Sequence, residues 1–308
     1  TLKQNEAAGG YKVYLWPNDY CGELTFYFPL ARKDKELEKL QSDSRFRKAL
    51  SYAINRQEII DVIYRGIGEP AQWSVPKGSK FYNEKHATMA VAYRPDLANK
   101  MLDEMGLDKR NSEGTRLLWS GEPLNMDVVT VQERPLDAVQ MVCNYWRAIG
   151  VNAQMKVQNS KYINNAIAIG ILDIGVHKEG GNYFGPVYAG GFAPIHPAEC
   201  GWGSKWVEWL RTGGTSGWEP PDYIKELDVQ WTKVAQSPTE EDLIRNWKEL
   251  TDGTADWLPW IGVMTSPGIP VYVKNGFKNV PKISLAGWMA HEPGNNCPEV
   301  FYWEKEQD

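Results

Sequence analysis

Residues 42–68 read SDSRFRKALSYAINRQEIIDVIYRGIG and carry the strongest structural pattern in the chain. An apolar stripe at helical spacing is formed by Phe46, Ala49, Leu50, Ala53 and Ile54. Asn55, with Glu58 three residues later, has the spacing of a helix-capping box, and Gly66 is placed to end a second helix. This segment therefore predicts a helix, a bend at Asn55 and a second helix, packed together on a sheet.

The rest of the chain adds further helices and strands. A helix is predicted to begin at Pro95, because proline suits the first helical turn. Other helices are predicted at 135–149, around 224–234 and around 243–250, and strands at 116–119, 127–131 and 151–157. A long helix that leads into an alternating strand, after earlier strand patterns, favours a mixed α/β sheet.

Composition limits the class of protein. The 308 residues are 42% hydrophobic and 24% charged, as in folded soluble proteins, and this length suits two domains. The formal net charge of −5 offers no basic surface, so nucleic acid is not a predicted partner. The longest apolar stretch, 166–176, is short and contains Asp173, so it predicts a helix end and a buried strand rather than a membrane span.

Motifs for catalysis, cofactors and metals are absent from the sequence. It has no GxSxG, no GxxxxGK[ST] and no strand-linked GxGxxG. The four histidines are widely separated without HxxxH spacing, so we predict no catalytic residue, no cofactor and no metal site. The spacing of the cysteines allows either two disulfides or four free thiols at Cys21, Cys143, Cys200 and Cys297.

Residues 177–220 are rich in Gly, Pro and aromatic residues and show little periodicity. A loop region this long is usually functional or disordered, and its tryptophans argue against disorder. Most of the 14 Trp residues must be buried, because burying each one contributes about 4–6 kcal/mol as an upper bound. Trp73, Trp202 and Trp218 lie in Gly/Pro-rich loops and are the candidates for facing a ligand.

Residues 43–68 resemble the solute-binding proteins of bacterial ABC importers, in the family-5 class that includes oligopeptide- and dipeptide-binding proteins. The residues that match the family pattern are Asp43, Arg45, Arg47, Ala49, Leu50, Ala53, Ile54, Arg56, Tyr64 and Gly66. Residues 92–117 and 135–157 resemble two further family segments in the same order. The resemblance covers essentially the whole chain.

The resemblance implies an α/β fold like that of type II periplasmic binding proteins, with one complete lobe and the returning part of the other. Residues 1–24 would end the first lobe, 25–262 would form the second lobe, and 263–308 would return to the first. Residues 24–30 and 258–264 would be the two hinge crossings. The chain would then be the C-terminal portion of a longer protein.

The resemblance also implies a ligand site in the cleft between the lobes. After a strand that corresponds to 172–174, peptide binders of the family carry an aromatic residue and then an Asp that pairs with the ligand amine. Glu179 and Asn182 occupy these positions here, and the neutral amide cannot make the charge-assisted pair. Two interpretations stay open: Glu179 pairs with the ligand amine in place of the Asp, or Glu179 and Asn182 only solvate the loop. The candidate ligand-binding residues are Tyr27, Trp73, His177, Glu179, Gly180, Gly181, Asn182, Tyr183, Trp202 and Trp218.

The implied function is that of an exported, monomeric, non-enzymatic protein of the periplasm or cell surface. It would close around a peptide and deliver it to the permease subunits of an ABC transporter in the membrane. An oligosaccharide stacked on the loop tryptophans is the alternative solute. Two functions of other classes stay open: a sugar-acting hydrolase, which needs two carboxylates about 5–10 Å apart, and a sensor module that docks on a receptor.

Overall fold

A five-stranded mixed sheet forms the centre of the fold. The computed structural model describes residues 2–177 and 180–304. The strands are β1 (Tyr11–Trp16), β2 (Thr25–Tyr27), β3 (Asn125–Thr130), β4 (Asn152–Val157), β5 (Ile174–His177), β6 (Trp260–Gly262), β7 (Ile269–Lys274), β8 (Phe277–Lys278) and β9 (Tyr302–Trp303). The helices are α1 (Glu6–Gly9), α2 (Lys35–Ser42), α3 (Ser44–Tyr52), α4 (Arg56–Ile63), α5 (Glu84–Thr88), α6 (Pro95–Glu104), α7 (Leu136–Ala148), α8 (Ser160–Ala168), α9 (Ser204–Arg211), α10 (Asp222–Ala235) and α11 (Glu240–Trp257).

The sheet has the strand order β4-β3-β5-β2-β6. Strand β3 pairs in parallel with β4 and β5, whereas β2 pairs antiparallel with β5 and β6. Phe26 of β2 packs edge-to-face against Trp146 of α7, with ring centroids 5.1 Å apart. Because neighbouring residues of a strand face opposite sides of the sheet, Tyr27 faces away from Trp146, toward a smaller cluster that contains Val129 and Leu172.

Two short antiparallel pairs lie outside this sheet. Strand β1 pairs with β7, from Tyr11 opposite Lys274 to Trp16 opposite Ile269, so the beginning of the chain is joined to its returning tail. Strand β8 pairs with β9. The proposed crossings at 24–30 and 258–264 contain β2 and β6, which are neighbours in the central sheet. The lobe boundaries and the hinge stay predictions.

Most of the predicted elements are confirmed. Helices α3 and α4 occupy the segment around Asn55, whose side chain accepts a hydrogen bond from the Glu58 amide as a cap. Helix α6 begins at Pro95, and α7 leads into the alternating strand β4. Among the described residues, no helix is both long and apolar enough to cross a membrane. Cys21, Cys143, Cys200 and Cys297 are free thiols, the last of them exposed.

Two predictions of local structure are wrong. Residues 116–119 form only isolated bridges, because the buried Arg116 side chain binds the carbonyls of Ile149 and Leu107 and the carboxylate of Asp103. Residues 177–220 contain the helix α9, which buries Trp206 and Val207. The apolar pattern of this short helix is difficult to recognise in the sequence, because glycines flank the helix on both sides.

Buried arginines connect the helices to the sheet. Arg56 is fully buried at the start of α4, and its guanidinium donates hydrogen bonds to the carbonyls of Gly262, Ser51 and Val91. Burial lowers the pKa of Arg56 to about 9, so the side chain is charged at neutral pH. One side chain thus ties α3, α4 and the edge strand β6 together.

We expect Arg56→Met to lower the free energy of unfolding by roughly 3 kcal/mol, because it leaves buried carbonyl oxygens without donors. Urea unfolding followed by circular dichroism measures this loss. Arg45→Met is the control, since the Arg45 side chain is 55% exposed and, among the described residues, forms its ion pair with Asp43 at the surface. Equal losses in the two variants would contradict the assigned role of Arg56.

His86 is buried behind the aromatic residues of the sheet edge. Its ring centroid lies 6.2 Å from that of Trp73 and 5.2 Å from that of Phe192. Asn83 caps the short helix α5 and donates to Thr251 and Asp252 of α11, which fixes His86 in place. Burial lowers the pKa of His86 to about 4, although the Asp252 carboxylate opposes this shift.

The folded protein therefore resists protonation of His86, while the unfolded chain takes up the proton near pH 6.5. Stability contributed by the neutral imidazole is complete above pH 6.5 and is lost as the pH falls toward 4. We expect wild type to lose about 2 kcal/mol more than His86→Leu between pH 7 and pH 5. Urea unfolding at both pH values measures this, with the exposed His196→Leu as control. A parallel decline in wild type and His86→Leu would refute it.

Candidate ligand-binding site

A cavity of about 530 Å³ opens beside strands β2 and β6, a volume typical of small-molecule sites. Its wall combines residues of these strands with residues of the loop after β5 and of the C-terminal tail. The aromatic lining residues are Tyr20, Tyr27, Trp73, Tyr188, Trp260 and Trp288. Segments that are distant in sequence therefore contribute aromatic side chains to the surface of one cavity.

Three rings form the floor of this surface. Trp260 lies between the other two: its centroid is 4.9 Å from that of Tyr27 and 5.2 Å from that of Trp73. The Trp73 and Trp260 planes differ by only 20°, which is a stacked arrangement. His177 adds an edge contact to Trp260 at 6.1 Å. The Trp73 ring is held from behind by Phe192, at a centroid distance of 4.3 Å.

Glycine backbone allows these rings to pack so closely. A Cβ atom on Gly175 would lie 2.0 Å from the Tyr27 ring, and one on Gly191 would lie 2.0 Å from the Trp73 ring. A Cβ on Gly262 would lie 2.2 Å from the backbone nitrogen of Trp73. Any side chain at these positions would displace the floor of the cavity.

Backbone hydrogen bonds join the loop from Gly180 to Tyr183 to the segment before β2. The Cys21 amide donates to the Gly181 carbonyl and the Tyr183 amide to the Asp19 carbonyl. A Cβ on Gly180 would lie 1.3 Å from the Cys21 carbonyl oxygen, so only glycine permits this contact. Gly180 lines the cavity, whereas Gly181 and Tyr183 do not.

Asn182 has a structural role in this loop. Its side chain is completely buried: the amide nitrogen donates to the Tyr188 carbonyl, and the side-chain oxygen accepts from the Phe184 amide. Its polar atoms thus hold the backbone that presents Tyr188 to the cavity. Asn182, which the family resemblance puts at the position of the amine-binding Asp, does not line the cavity.

Trp202 and Trp218 do not reach the cavity. Trp202 is completely buried; its ring nitrogen donates to the Gly190 carbonyl, and its ring packs edge-to-face on Trp257. Trp218 lies under the ammonium group of Lys35, at 5.1 Å. These two tryptophans were predicted to face a ligand, but they contact protein groups instead: Trp202 packs in the core, and Trp218 lies beside Lys35 of α2.

The described part of the cavity lining carries one carboxylate. Among the described lining residues, Glu199 is the only acidic side chain, and none is Lys or Arg. Glu179 lies outside the described residues. Burial raises the pKa of Tyr27, so its hydroxyl is neutral and can donate a hydrogen bond. No cluster of His, Cys, Asp and Glu suited to a metal ion occurs in the described part of the chain.

Of the sequence-predicted residues, the structure brings together Tyr27, Trp73, His177 and Gly180. Sequence reasoning missed Trp260, Glu199 and Trp288. Trp260 lies in the segment 258–264, which the family resemblance marks as a hinge crossing. The pairing of β6 with β2 puts Trp260 next to Tyr27. Glu199 and Trp288 carry no distinguishing local pattern.

Comparisons with known proteins agree with this architecture. Residues 2–190 match the family described as bacterial extracellular solute-binding proteins, family 5 Middle. The dipeptide-binding protein of Escherichia coli is 29% identical over 118 residues, which are 38% of this chain and 20% of that protein. The di/tripeptide-binding protein 1 of Pseudomonas aeruginosa is 30% identical over 137 residues, 43% of this chain and 22% of that protein.

Solved structures share the fold over nearly the whole chain. The oligopeptide-binding protein OppA superposes with a TM-score of 0.84 at 28% identity, covering 99% of this chain and 50% of that chain. The binding protein MelB of Agrobacterium fabrum, in complex with stachyose, superposes with a TM-score of 0.70 at 17% identity. The superposition covers 88% of this chain and 41% of that chain. This chain thus spans about half the length of OppA.

The expected fold of type II periplasmic binding proteins is confirmed by these superpositions. The family match extends over well more than half of the sequence. The protein therefore belongs to the bacterial extracellular solute-binding proteins of family 5.

Proposed function

We propose that the chain forms the peptide-binding lobe of an ABC-importer solute-binding protein, with the cavity beside β2 and β6 as its ligand site. One observation carries the proposal: the cavity joins a stacked aromatic floor to a single described carboxylate, Glu199, with no described basic lining residue. Such a site favours a ligand with apolar faces and a positive charge. A peptide with a free amino terminus has both.

Each part of the wall has a task in this proposal. Tyr27, Trp73 and Trp260 contact apolar parts of the peptide with the part of each ring that the neighbouring rings leave uncovered. The Glu199 carboxylate pairs with the ammonium group in a charge-assisted hydrogen bond. Its side chain makes no ion pair with any described residue, so the carboxylate is available to a ligand. Glu199 thereby takes the role that the neutral Asn182 cannot fill.

We propose the remaining steps by analogy with the family. The protein is exported, acts as a monomer, closes around the solute by hinge motion and delivers it to permease subunits without altering it chemically. The names of the relatives support the peptide assignment, since two of them are di- or tripeptide-binding proteins. Because the chain spans about half of OppA, these activities are proposed for the full-length protein.

An oligosaccharide is the second candidate ligand. The aromatic lining of the cavity suits the apolar face of a pyranose, and two proteins of the same fold are described in complexes with stachyose and mannohexaose. A sugar-acting hydrolase needs a second carboxylate across the cavity, and the described lining supplies only Glu199.

Mass spectrometry of small molecules released by denaturing the natively purified full-length protein tests the proposal. Short peptides would support it. Hexose or pentose oligomers would refute the peptide assignment in favour of the sugar. If nothing is released, titration calorimetry with trialanine and mannohexaose decides between them. Conversion of mannohexaose to shorter sugars by the purified protein would refute the non-enzymatic assignment.

We expect Glu199→Gln to weaken binding of trialanine by roughly tenfold to a hundredfold, because a hydrogen bond to a charged group is lost. N-acetyl-trialanine, which lacks the ammonium group, should bind wild type and Glu199→Gln equally. Titration calorimetry measures both ligands. Glu122→Gln is the control, since Glu122 is an exposed acid that does not line the cavity. Unchanged trialanine affinity in Glu199→Gln would show that another group binds the amine.

A further inference from the structure

The tail segment 286–290 forms a firmly anchored loop at the mouth of the cavity. Its anchor is Asp19, which is completely buried. The Asp19 amide donates to the Ala286 carbonyl over 2.7 Å, and the Asp19 carboxylate accepts from the Ala290 amide over 2.7 Å. The same residue accepts from the Tyr183 amide. Asp19 therefore connects this loop to the loop after β5, which contributes Gly180 to the cavity lining.

Glycine is required at the second position of the loop. Gly287 has a φ of +129°, a conformation that other residues rarely adopt, and a Cβ there would lie 1.9 Å from the Asp19 carboxylate. The close contact between Gly287 and Asp19 fixes where the next residue is placed. That residue is Trp288, which with Met289 lines the cavity.

Trp288 is placed unusually for a tryptophan. Its side chain is 79% exposed, although leaving such a large apolar ring in water is unfavourable. Tyr27, Trp73 and Trp260 are each packed against another ring. Within residues 2–177 and 180–304, the Trp288 ring makes no stacking or cation–π contact. A rigid loop thus holds an uncovered ring at the edge of a ligand cavity.

We propose that Trp288 is a specificity-determining residue that covers the bound solute from the tail side, by stacking on a flat apolar face of the ligand. In a peptide this face is an aromatic side chain. The inference rests on the proposed solute-binding function and goes beyond it, because it assigns a ligand preference to a residue outside the sheet and its loops. The ligand is then held between Trp288 and the floor formed by Tyr27 and Trp260.

The test compares two tripeptides with the full-length protein. Titration calorimetry measures the affinities of Ala-Phe-Ala and Ala-Ala-Ala for wild type, Trp288→Ala and Trp288→Phe. We expect Trp288→Ala to weaken Ala-Phe-Ala roughly three- to tenfold, with a smaller effect on Ala-Ala-Ala, and Trp288→Phe to retain most of the affinity. Trp303→Ala is the matched control, because Trp303 is also exposed (60%) but contacts Phe277 and not the cavity.

Fluorine NMR of protein labelled with 5-fluorotryptophan gives a second readout. The Trp288 signal, identified by its loss in Trp288→Phe, should be accessible to a soluble paramagnetic agent without ligand and protected when Ala-Phe-Ala is bound. If the signal is already protected without ligand and Trp288→Ala lowers only thermal stability, the remainder of the protein covers the ring and the inference is wrong. Equal tripeptide affinities in wild type and Trp288→Ala would also overturn it.

Failure of the proposed peptide function gives a different result. If wild type binds neither tripeptide, the peptide assignment fails, and the same variants are then titrated with mannohexaose. Weaker mannohexaose binding by Trp288→Ala, with Trp303→Ala unaffected, would retain the role of Trp288 toward a pyranose face. Binding of none of the three probes by wild type would overturn both proposals.

Discussion

The shape of the cavity depends on aromatic rings that pack closely against glycine backbone. Tyr27, Trp260 and Trp73 form a continuous floor because Gly175, Gly191 and Gly262 lack side chains where the rings and their backbone pass. Protein interiors are close-packed, so a single methyl group at such a contact requires a shift of the ring or of the strand. The position of the floor is therefore fixed by the pairing of β2 with β5 and β6.

A second constraint joins the floor to the rim. The short segment that contains Asp19 and Cys21 hydrogen-bonds to the loop after β5 and to the tail near Ala286. Three parts of the chain that are far apart in sequence are thereby held around one cavity. If the proposed site is correct, such a scaffold is rigid where the ligand would be contacted, which would reduce the entropic cost of binding. It also holds the loop residues 180–183 in place, although they form no helix or strand.

Local patterns in the sequence predicted the helices around Asn55, the helix at Pro95 and strand β4, because capping, proline placement and alternation act over a few residues. The site was only partly accessible to this reasoning. Trp202 looks exposed in a Gly-rich segment, but the Gly190 carbonyl accepts its ring hydrogen inside the core. Trp260 is a floor residue because β6 pairs with β2, and Trp288 lines the cavity because Asp19 anchors its loop. These contacts join residues that are far apart in sequence, so no local sequence pattern predicts them.

A crystal structure of the full-length protein with its co-purified solute would locate the ligand. We expect ligand density in the cavity of about 530 Å³, in contact with the Trp260 ring, with an ammonium group at hydrogen-bond distance from the Glu199 carboxylate and an apolar face against Trp288. Ligand density elsewhere on the lobe, with only water in this cavity, would contradict the proposed site.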